Sequence, residues 1–154
     1  MPCARSVHAA YPALAGVIAE WIRDHDTLYC PGRLKLPPGC LAERPTVANA
    51  DFIAEELEMR RYETNVGDLV ADRALEAYRD QGAQIAFVNS GALRLNSNIP
   101  KGSDITCRRA EELFPYPLPL RLIEIDGATL QEVVSRAVRG WTGQGYFLQI
   151  AGFA

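Results

Sequence analysis

Apolar side chains recur at helical spacing near the start of the chain, and proline and glycine then interrupt the pattern. The spacing over residues 12–24 predicts an amphipathic helix, and the proline- and glycine-rich segment 30–45 predicts a loop or an irregular arm. The pattern over residues 47–58 predicts a short helix. The apolar face of the first helix consists of Leu14, Val17, Ile18, Trp21 and Ile22.

A longer helix is predicted from Asn65 to the region of Gly82. Asn65 is a good N-cap residue, Asp68 in the first turn complements the helix dipole, and Gly82 is typical of the position after a helix C-terminus. One apolar stripe along this helix indicates the face that packs on the core. The stripe consists of Val66, Leu69, Val70, Ala74, Ala77 and Tyr78.

The rest of the chain alternates between predicted strands and helices. A continuous apolar run at 85–88 is typical of a strand covered on both faces, and it leads directly into the loop 89–94. This alternation, which shows no internal repeats, predicts an α/β or α+β layered domain. The downstream elements are a helix over 106–113, a strand over about 118–125, a helix over 128–139 and a strand over 146–150.

The composition excludes several classes of protein. A chain of 154 residues has the length of one domain, and its net charge of -3 provides no basic field for nucleic acid. No apolar run approaches the ~20 residues that a membrane-spanning helix requires. We therefore expect neither a nucleic-acid nor a membrane partner. The N-terminus shows no signal-peptide core, so we expect that the protein stays inside the cell or that a leader has been removed.

The four cysteines, Cys3, Cys30, Cys40 and Cys107, contain no CxxC pair, which argues against a zinc site or a redox motif. Cys30 and Cys40 bracket a loop and could form a disulfide in an oxidising compartment. The alternative, which we favour, is that these are free thiols and that Cys107 packs as a small hydrophobic residue.

The residues needed for metal-assisted hydrolysis are missing from the sequence pattern. Such a site needs several histidine, aspartate and asparagine ligands, whereas this chain has only His8 and His25, which form no HxH or HExxH arrangement. No GxSxG, Walker or GxGxxG motif occurs either. We therefore assign no catalytic residue and no metal ligand, and we interpret both histidines as surface or packing residues.

The loop that follows the 85–88 run has side chains suited to an anion. Asn89 offers a donor and an acceptor, Gly91 lets the backbone bend or approach a ligand closely, and Arg94 presents a fork that matches phosphate or carboxylate oxygens. Ligands commonly bind at such strand ends in α/β sheets. The plainer alternative is a turn whose exposed arginine pairs with a surface acid.

Arg60 and Arg61 precede the helix at Asn65, whose free N–H groups already favour an anion. A second phosphate contact there is physically reasonable. The alternative is that these arginines pair with the acidic residues of the run 55–58.

Tyr116 lies between Pro115 and Pro117, which restrict the backbone on both sides. A rigid aromatic ring in a loop is suited to stacking on a base. The alternative is an edge aromatic that covers a helix end.

Five segments, taken in order, resemble the C-terminal domain of the 5'-nucleotidase family of metallophosphoesterases. They include the sequence RRYETNVGDLVAD, the loop NSGALR and a final segment that is similar to the family's FLQ-x-x-G pattern. The resemblance implies an α/β layered sandwich with a mixed sheet flanked by helices. It divides the chain into a linker region, 1–46, and a domain, 47–154. The matching segments are 60–72, 89–94, 114–116, 125–130 and 146–152.

The resemblance also implies a function. In such enzymes an N-terminal domain holds two metal ions and performs the chemistry, while the C-terminal domain binds the nucleotide and rotates to deliver its phosphate. Arg60 and Arg94 would contact phosphate or ribose oxygens, Asn89 would hydrogen-bond the substrate, and Tyr116 would stack on the base. This chain would bind no cofactor, its partner would be a metallophosphatase domain, and its family is often periplasmic or extracellular.

Three departures from the family pattern support an alternative function. Pro117 and Leu118 stand where the family has glycine and a base-contacting asparagine, and the family's NGGGIR loop has become NSGALR. The sequence also ends at Ala154, before the family's second stacking aromatic and its ribose-binding acid. The alternative is a degenerate homologue that serves as an interaction or oligomerisation module, for example a homodimer. Autonomous phosphatase activity is not expected.

Overall fold

The computed structural model describes residues 29–116, 119–139 and 143–153. The chain divides into two compact units, one with residues up to Arg44 together with Thr106–Arg108, the other with Pro45–Ile105 and the residues from Arg109 onward. The predicted helix at 12–24 lies outside the described residues, as do His8, His25 and Cys3, and so do Pro117 and Leu118. The predicted domain boundary after residue 46 stays a prediction.

The smaller unit is organised around a disulfide between Cys30 and Cys40, whose Cα atoms lie 5.9 Å apart. The interpretation of these two residues as free thiols is therefore wrong. The 30–45 arm is less irregular than predicted, because Cys30–Leu34 forms a π-helical turn and Cys40–Ala42 a 3-10 turn. Both cysteines are buried with Leu41 in one small cluster, and the cross-link constrains the chain between them. Cys107 is free and half-buried, as expected.

The larger unit begins with two short elements. Strand β1 (Thr46–Val47) pairs antiparallel with β3 (Asp104–Ile105), and Phe52 continues this pairing as a bridge to Ile99. The helix predicted over 47–58 is therefore wrong in extent, since Phe52 exchanges both backbone hydrogen bonds with Ile99, at 2.8 and 2.9 Å. Only helix α1 (Glu56–Met59) forms. The Glu55 carboxylate caps this helix by accepting from the N–H groups of Leu57 and Glu58.

Helix α2 (Asn65–Tyr78) begins one residue earlier than the predicted cap implies. Thr64 is the N-cap, and its buried hydroxyl accepts from the Gly67 N–H at 3.2 Å. The Asn65 side chain instead bonds to the preceding loop, accepting from Ile53 N at 2.8 Å. A 3-10 turn follows α2, and Gly82 ends it in the left-handed conformation, with φ of 89°, as predicted.

Part of the core of this unit is a two-stranded sheet between two helices. Strand β2 (Ala86–Asn89) pairs antiparallel with β4 (Leu148–Ala151). Helix α2 covers one face through Ala71 and Leu75, and its contacts include Ala86, Val88 and Ala151. The β2 side chains are half-buried, so this strand is less covered than its apolar run predicts. The predicted α/β layered fold is confirmed.

Two further helices follow in the chain. Helix α3 (Cys107–Leu113) follows β3, close to its predicted bounds. Helix α4 (Gly127–Arg139) confirms the helix predicted over 128–139 and lies beside Leu148 and Ile150 of β4. None of the described helices combines the length and the apolar character needed to cross a bilayer.

The strand predicted over about 118–125 is wrong for residues 119–125, which carry no strand pairing. The pattern was apolar enough for a strand, but a strand needs a neighbour to satisfy its backbone groups. The described residues provide no such neighbour here. The apolar side chains of residues 119–125 consequently remain exposed: Leu120, Leu122, Ile123 and Ile125.

Asp126 caps helix α4, and this cap makes a pH-dependent contribution to stability. Its carboxylate accepts from the Thr129 backbone N–H at 2.7 Å, and this bond holds the pKa of Asp126 below its ordinary value. A lowered pKa means that the stabilisation is present above about pH 4, the unfolded value, and is lost as pH falls through the folded value. Asp126→Ala should therefore lower Tm at pH 7, and the difference from wild type should shrink in acid.

Thermal melts followed by circular dichroism between pH 2 and 7 measure this effect. The matched control is Glu132→Ala, which removes an exposed carboxylate from the same helix without removing a cap. Equal Tm values for Asp126→Ala and wild type at pH 7 would contradict the assignment.

Candidate functional site

Two arginines from distant parts of the larger unit meet at one carboxylate. Arg60 follows helix α1 directly, one turn after Glu56, and Arg94 follows the 3-10 turn Ser90–Ala92 at the end of β2. The Glu56 Oε1 atom accepts from Arg60 Nη2 and from Arg94 Nη1. All three side chains are partly buried, with 20% of Arg60, 35% of Arg94 and 22% of Glu56 exposed.

The structure shows the arginine–carboxylate ion pairs that the plainer alternatives predicted, but a single carboxylate, Glu56, is the partner of both arginines. Arg60 pairs within the acidic run and Arg94 pairs with an acid, as those alternatives stated. Because Glu56 is shared, the pairs also create a site with two guanidinium groups and one carboxylate. Its formal charge is +1, and its three side chains are partly buried.

Tyr116 lies beside this cluster. The Arg94 guanidinium carbon lies 5.9 Å from the centroid of the Tyr116 ring, within the range of a cation–π contact. Hydrogen bonding to Tyr116 and, next, to Glu56 raises the pKa of Arg94, so this side chain stays charged. The backbone explains the proximity, because Arg94 N donates to Leu113 O at 3.0 Å, at the end of α3. About half of Tyr116, 49%, remains exposed.

Asn89 and Gly91 lie in the neighbouring loop and meet the segment before β4. Gly91 N donates to Gly145 O at 2.8 Å, and a Cβ atom on Gly91 would lie 2.9 Å from that oxygen. The close approach expected at Gly91 is therefore to another backbone segment. The Asn89 amide nitrogen is 3.5 Å from the same Gly145 oxygen, the outer limit of a hydrogen bond. Asn89 is exposed, which leaves its side chain accessible.

Gly145 joins this loop contact to the arginine cluster. A Cβ atom at Gly145 would lie 3.2 Å from Gly91 Cα and 3.9 Å from Arg60 Nη2. The five predicted site residues thus lie in one region, around Glu56 and Gly145. Their roles toward a ligand stay predictions. Sequence reasoning missed Gly145, although two glycines in the segment Gly143–Gly145 indicate a loop that approaches another backbone.

Arg61, the neighbour of Arg60, lies elsewhere. It lines a cleft of about 530 Å³ between the turn after α1, helix α4 and strand β4. The five predicted site residues do not line this cleft, so its apolar walls are separate from the arginine cluster. The lining residues are Arg61, Tyr62, Glu63, Val134, Ala137, Val138, Phe147, Leu148 and Ile150.

Gln149 fixes the turn that carries Arg60. Its fully buried amide nitrogen donates to Met59 O at 2.7 Å and to Tyr62 O at 2.8 Å, and its oxygen accepts from Thr64 N at 3.0 Å. The two carbonyls flank Arg60, so the position of the arginine backbone is set by strand β4. A side chain at Gly67 would collide with the same amide, which explains the glycine inside α2.

Divalent metal binding does not fit this cluster. Two guanidinium groups repel a cation, and Mg²⁺ or Zn²⁺ needs several anionic or neutral donors. Among the residues that the structure describes, no group of three or more His, Cys, Asp or Glu side chains could hold a metal ion. The expectation that this chain binds no metal stays a prediction.

The sequence model of the family described as 5'-nucleotidase, C-terminal domain, matches residues 46–154. The chain belongs to this family. The chain is also similar to the crystal structure of the 5'-nucleotidase precursor from Thermus thermophilus, with 27% sequence identity and a TM-score of 0.63. That similarity covers 80% of this chain and 23% of the Thermus chain. A comparison with curated proteins finds no match.

Replacing Gln149 tests whether its three hydrogen bonds stabilise the fold of this domain. Gln149→Ala removes the side chain that bonds to the Met59 and Tyr62 carbonyls and to the Thr64 N–H, so the free energy of unfolding should fall by about 3 kcal/mol. Urea unfolding followed by tryptophan fluorescence and circular dichroism measures the change. Gln131→Ala, an exposed change on helix α4, serves as the control and should be close to wild type. A Gln149→Ala variant as stable as the control would contradict the role of these three bonds.

Proposed function

We propose that this chain is the nucleotide-binding domain of a 5'-nucleotidase-type phosphoesterase that acts in nucleotide catabolism. The observation that carries the proposal is the convergence of Arg60 and Arg94 on a single oxygen atom beside a half-exposed Tyr116. Two guanidinium groups that bind one carboxylate oxygen can bind one phosphate oxygen in the same way. Membership of the family supports the same ligand class.

The neighbouring groups suit the other parts of a nucleotide. The Tyr116 ring offers an apolar face for a base, held by Pro115 on one side and the Arg94 contact on the other. Asn89 lies exposed at the end of β2 and can donate to or accept from a ribose hydroxyl. Gly91 contributes indirectly, since its contact with Gly145 brings the two loops together.

Hydrolysis itself would come from a metal-binding domain outside this sequence. The arginine cluster can hold and orient a phosphate group, but its described residues form no metal ligand set. In this proposal the chain supplies binding and positioning, and the partner supplies the two metal ions. The Cys30–Cys40 disulfide supports an oxidising compartment for the assembled protein.

Arg94→Ala should weaken AMP binding more than adenosine binding. Removing one charged hydrogen-bond partner costs about 2 kcal/mol, which corresponds to roughly a 30-fold increase in Kd for AMP. Isothermal titration calorimetry with AMP, adenosine and a nucleotide sugar measures the effect. The matched control is Arg73→Ala, an exposed arginine of helix α2 whose ion pair with Glu76 lies on the surface.

Two results would contradict nucleotide binding. One is the absence of binding heat for wild type at millimolar AMP. The other is an equal loss of affinity in Arg94→Ala and Arg73→Ala, since this would mean that AMP responds only to overall charge.

A second candidate function is an oligomerisation module, and the exposed segment Leu120–Ile125 favours it. Ile123 is 69% exposed, and three further apolar side chains of this segment are exposed with it. An exposed apolar stretch without strand pairing can be covered by the same stretch of a second copy. In this proposal the chain forms a homodimer, either in addition to nucleotide binding or in place of it.

Ile123→Lys should shift a homodimer to monomer, because the substitution places a charge in the centre of the apolar stretch. Size-exclusion chromatography with light scattering measures the mass. Lys101→Ala, in a loop outside this segment, is the control and should keep the mass of wild type. A wild-type chain that is monomeric at high protein concentration would contradict this second function.

A further inference from the structure

Glu56 occupies the position where an anion would bind between the two arginines. A single oxygen, Glu56 Oε1, accepts from Nη2 of Arg60 and Nη1 of Arg94, which is the geometry of one phosphate oxygen held by two guanidinium groups. The carboxylate reaches this place from helix α1, within the same chain. A phosphate group and the Glu56 carboxylate therefore compete for the same donors.

The two arginine backbones are held by contacts that do not involve the Glu56 carboxylate, since Arg60 N donates to the Glu56 backbone carbonyl, which a change of side chain retains. The turn with Arg60 is held by the Gln149 amide through Met59 O and Tyr62 O. Arg94 is held by its own backbone bond to Leu113. If Glu56 were removed, both guanidinium groups would still project from fixed points into the same space.

Part of the donor capacity of Arg60 is unused while Glu56 is in place. Its Nε atom is buried and has no hydrogen-bond partner within the described residues. Nε and Nη2 form the side-on edge of a guanidinium group, which binds two oxygens of one oxyanion. Glu56 uses only Nη2 on this edge. A tetrahedral phosphate, with more oxygens than a carboxylate, can satisfy both atoms.

The charges of the cluster favour binding of either phosphate or the Glu56 carboxylate over binding of both at once. The cluster has two positive charges and one negative charge, so one positive charge remains for a ligand. A phosphate bound beside Glu56 would place like charges within a few ångströms in a partly buried site, which is unfavourable. Moving the carboxylate out into solvent removes this repulsion. It is 22% exposed, so a rotation toward water is open to it.

We propose that Glu56 is the specificity-determining residue of this site. Its carboxylate acts as an internal competitor of phosphate, lowering the affinity for phosphate-bearing ligands while leaving neutral nucleosides unaffected. This inference rests on the proposed nucleotide-binding function. It adds that Glu56 keeps the affinity of the chain for phosphate low, so that a phosphate product leaves readily and the Glu56 carboxylate takes its place.

The test compares wild type with Glu56→Gln, which keeps the shape of the side chain and removes its charge. Calorimetric titrations use inorganic phosphate, AMP and adenosine. Glu56→Gln should bind AMP and inorganic phosphate about tenfold more tightly than wild type, with adenosine unchanged. The matched control is Glu58→Gln on the same helix, which makes the same change in net charge and should bind like wild type.

Glu56→Ala serves as a second variant, and melting curves establish that each variant is folded. Tighter AMP binding by either folded variant, but not by Glu58→Gln, supports the proposal. Unchanged or weaker AMP binding by the Glu56 variants overturns it and makes Glu56 a positioning residue, while binding by wild type leaves the nucleotide function intact.

Two other outcomes also overturn the proposal. Loss of a cooperative melt in both Glu56 variants shows that the carboxylate is structural. Absence of AMP and phosphate binding in wild type and in both Glu56 variants overturns the proposal and the nucleotide function together.

Discussion

A single buried amide, that of Gln149, holds the turn that carries Arg60 in the candidate site. Its three hydrogen bonds tie strand β4 to the turn between α1 and α2, and that turn carries Arg60. A turn of this kind has exposed backbone groups and little core of its own, so it needs such a partner to stay in one conformation. The bonds to Met59 O and from Thr64 N are buried and therefore sheltered from competition by water.

The other half of the site depends on backbone contacts. Gly91 and Gly145 approach so closely that neither position has room for an ordinary side chain without a shift. This contact places the end of β2 beside the segment that precedes β4, while the bond from Arg94 N to Leu113 O draws in the end of α3 and, after it, Tyr116. Rigid backbone anchors of this type allow a flexible side chain to bind a ligand with less loss of entropy.

The elements with strong local patterns were predictable from sequence. Helix α2 and helix α4 follow apolar periodicity, because each packs one face on the sheet that contains strand β4. The N-cap of α2 is Thr64 and not the predicted Asn65, because Thr64 is buried against Gln149 and the Asn65 side chain is hydrogen-bonded to the preceding loop. Both residue types are good caps, and sequence alone cannot choose between them.

What escaped prediction depends on contacts between distant residues. The helix over 47–58 shortened because Phe52 pairs with Ile99, and no strand formed over 119–125 because it has no neighbour within the described residues. The Cys30–Cys40 bond depends on how a loop closes, which residue spacing does not determine. The candidate site residues were predicted from residue chemistry and from the family resemblance, but the shared carboxylate of Glu56 became visible only in three dimensions.

The most direct measurement is a crystal structure of the chain with bound AMP. We expect the phosphate between the guanidinium groups of Arg60 and Arg94, the base against the Tyr116 ring, and the Glu56 carboxylate turned toward solvent. An AMP molecule in the cleft lined by Arg61 and Phe147, with Glu56 still bound to both arginines, would contradict this account.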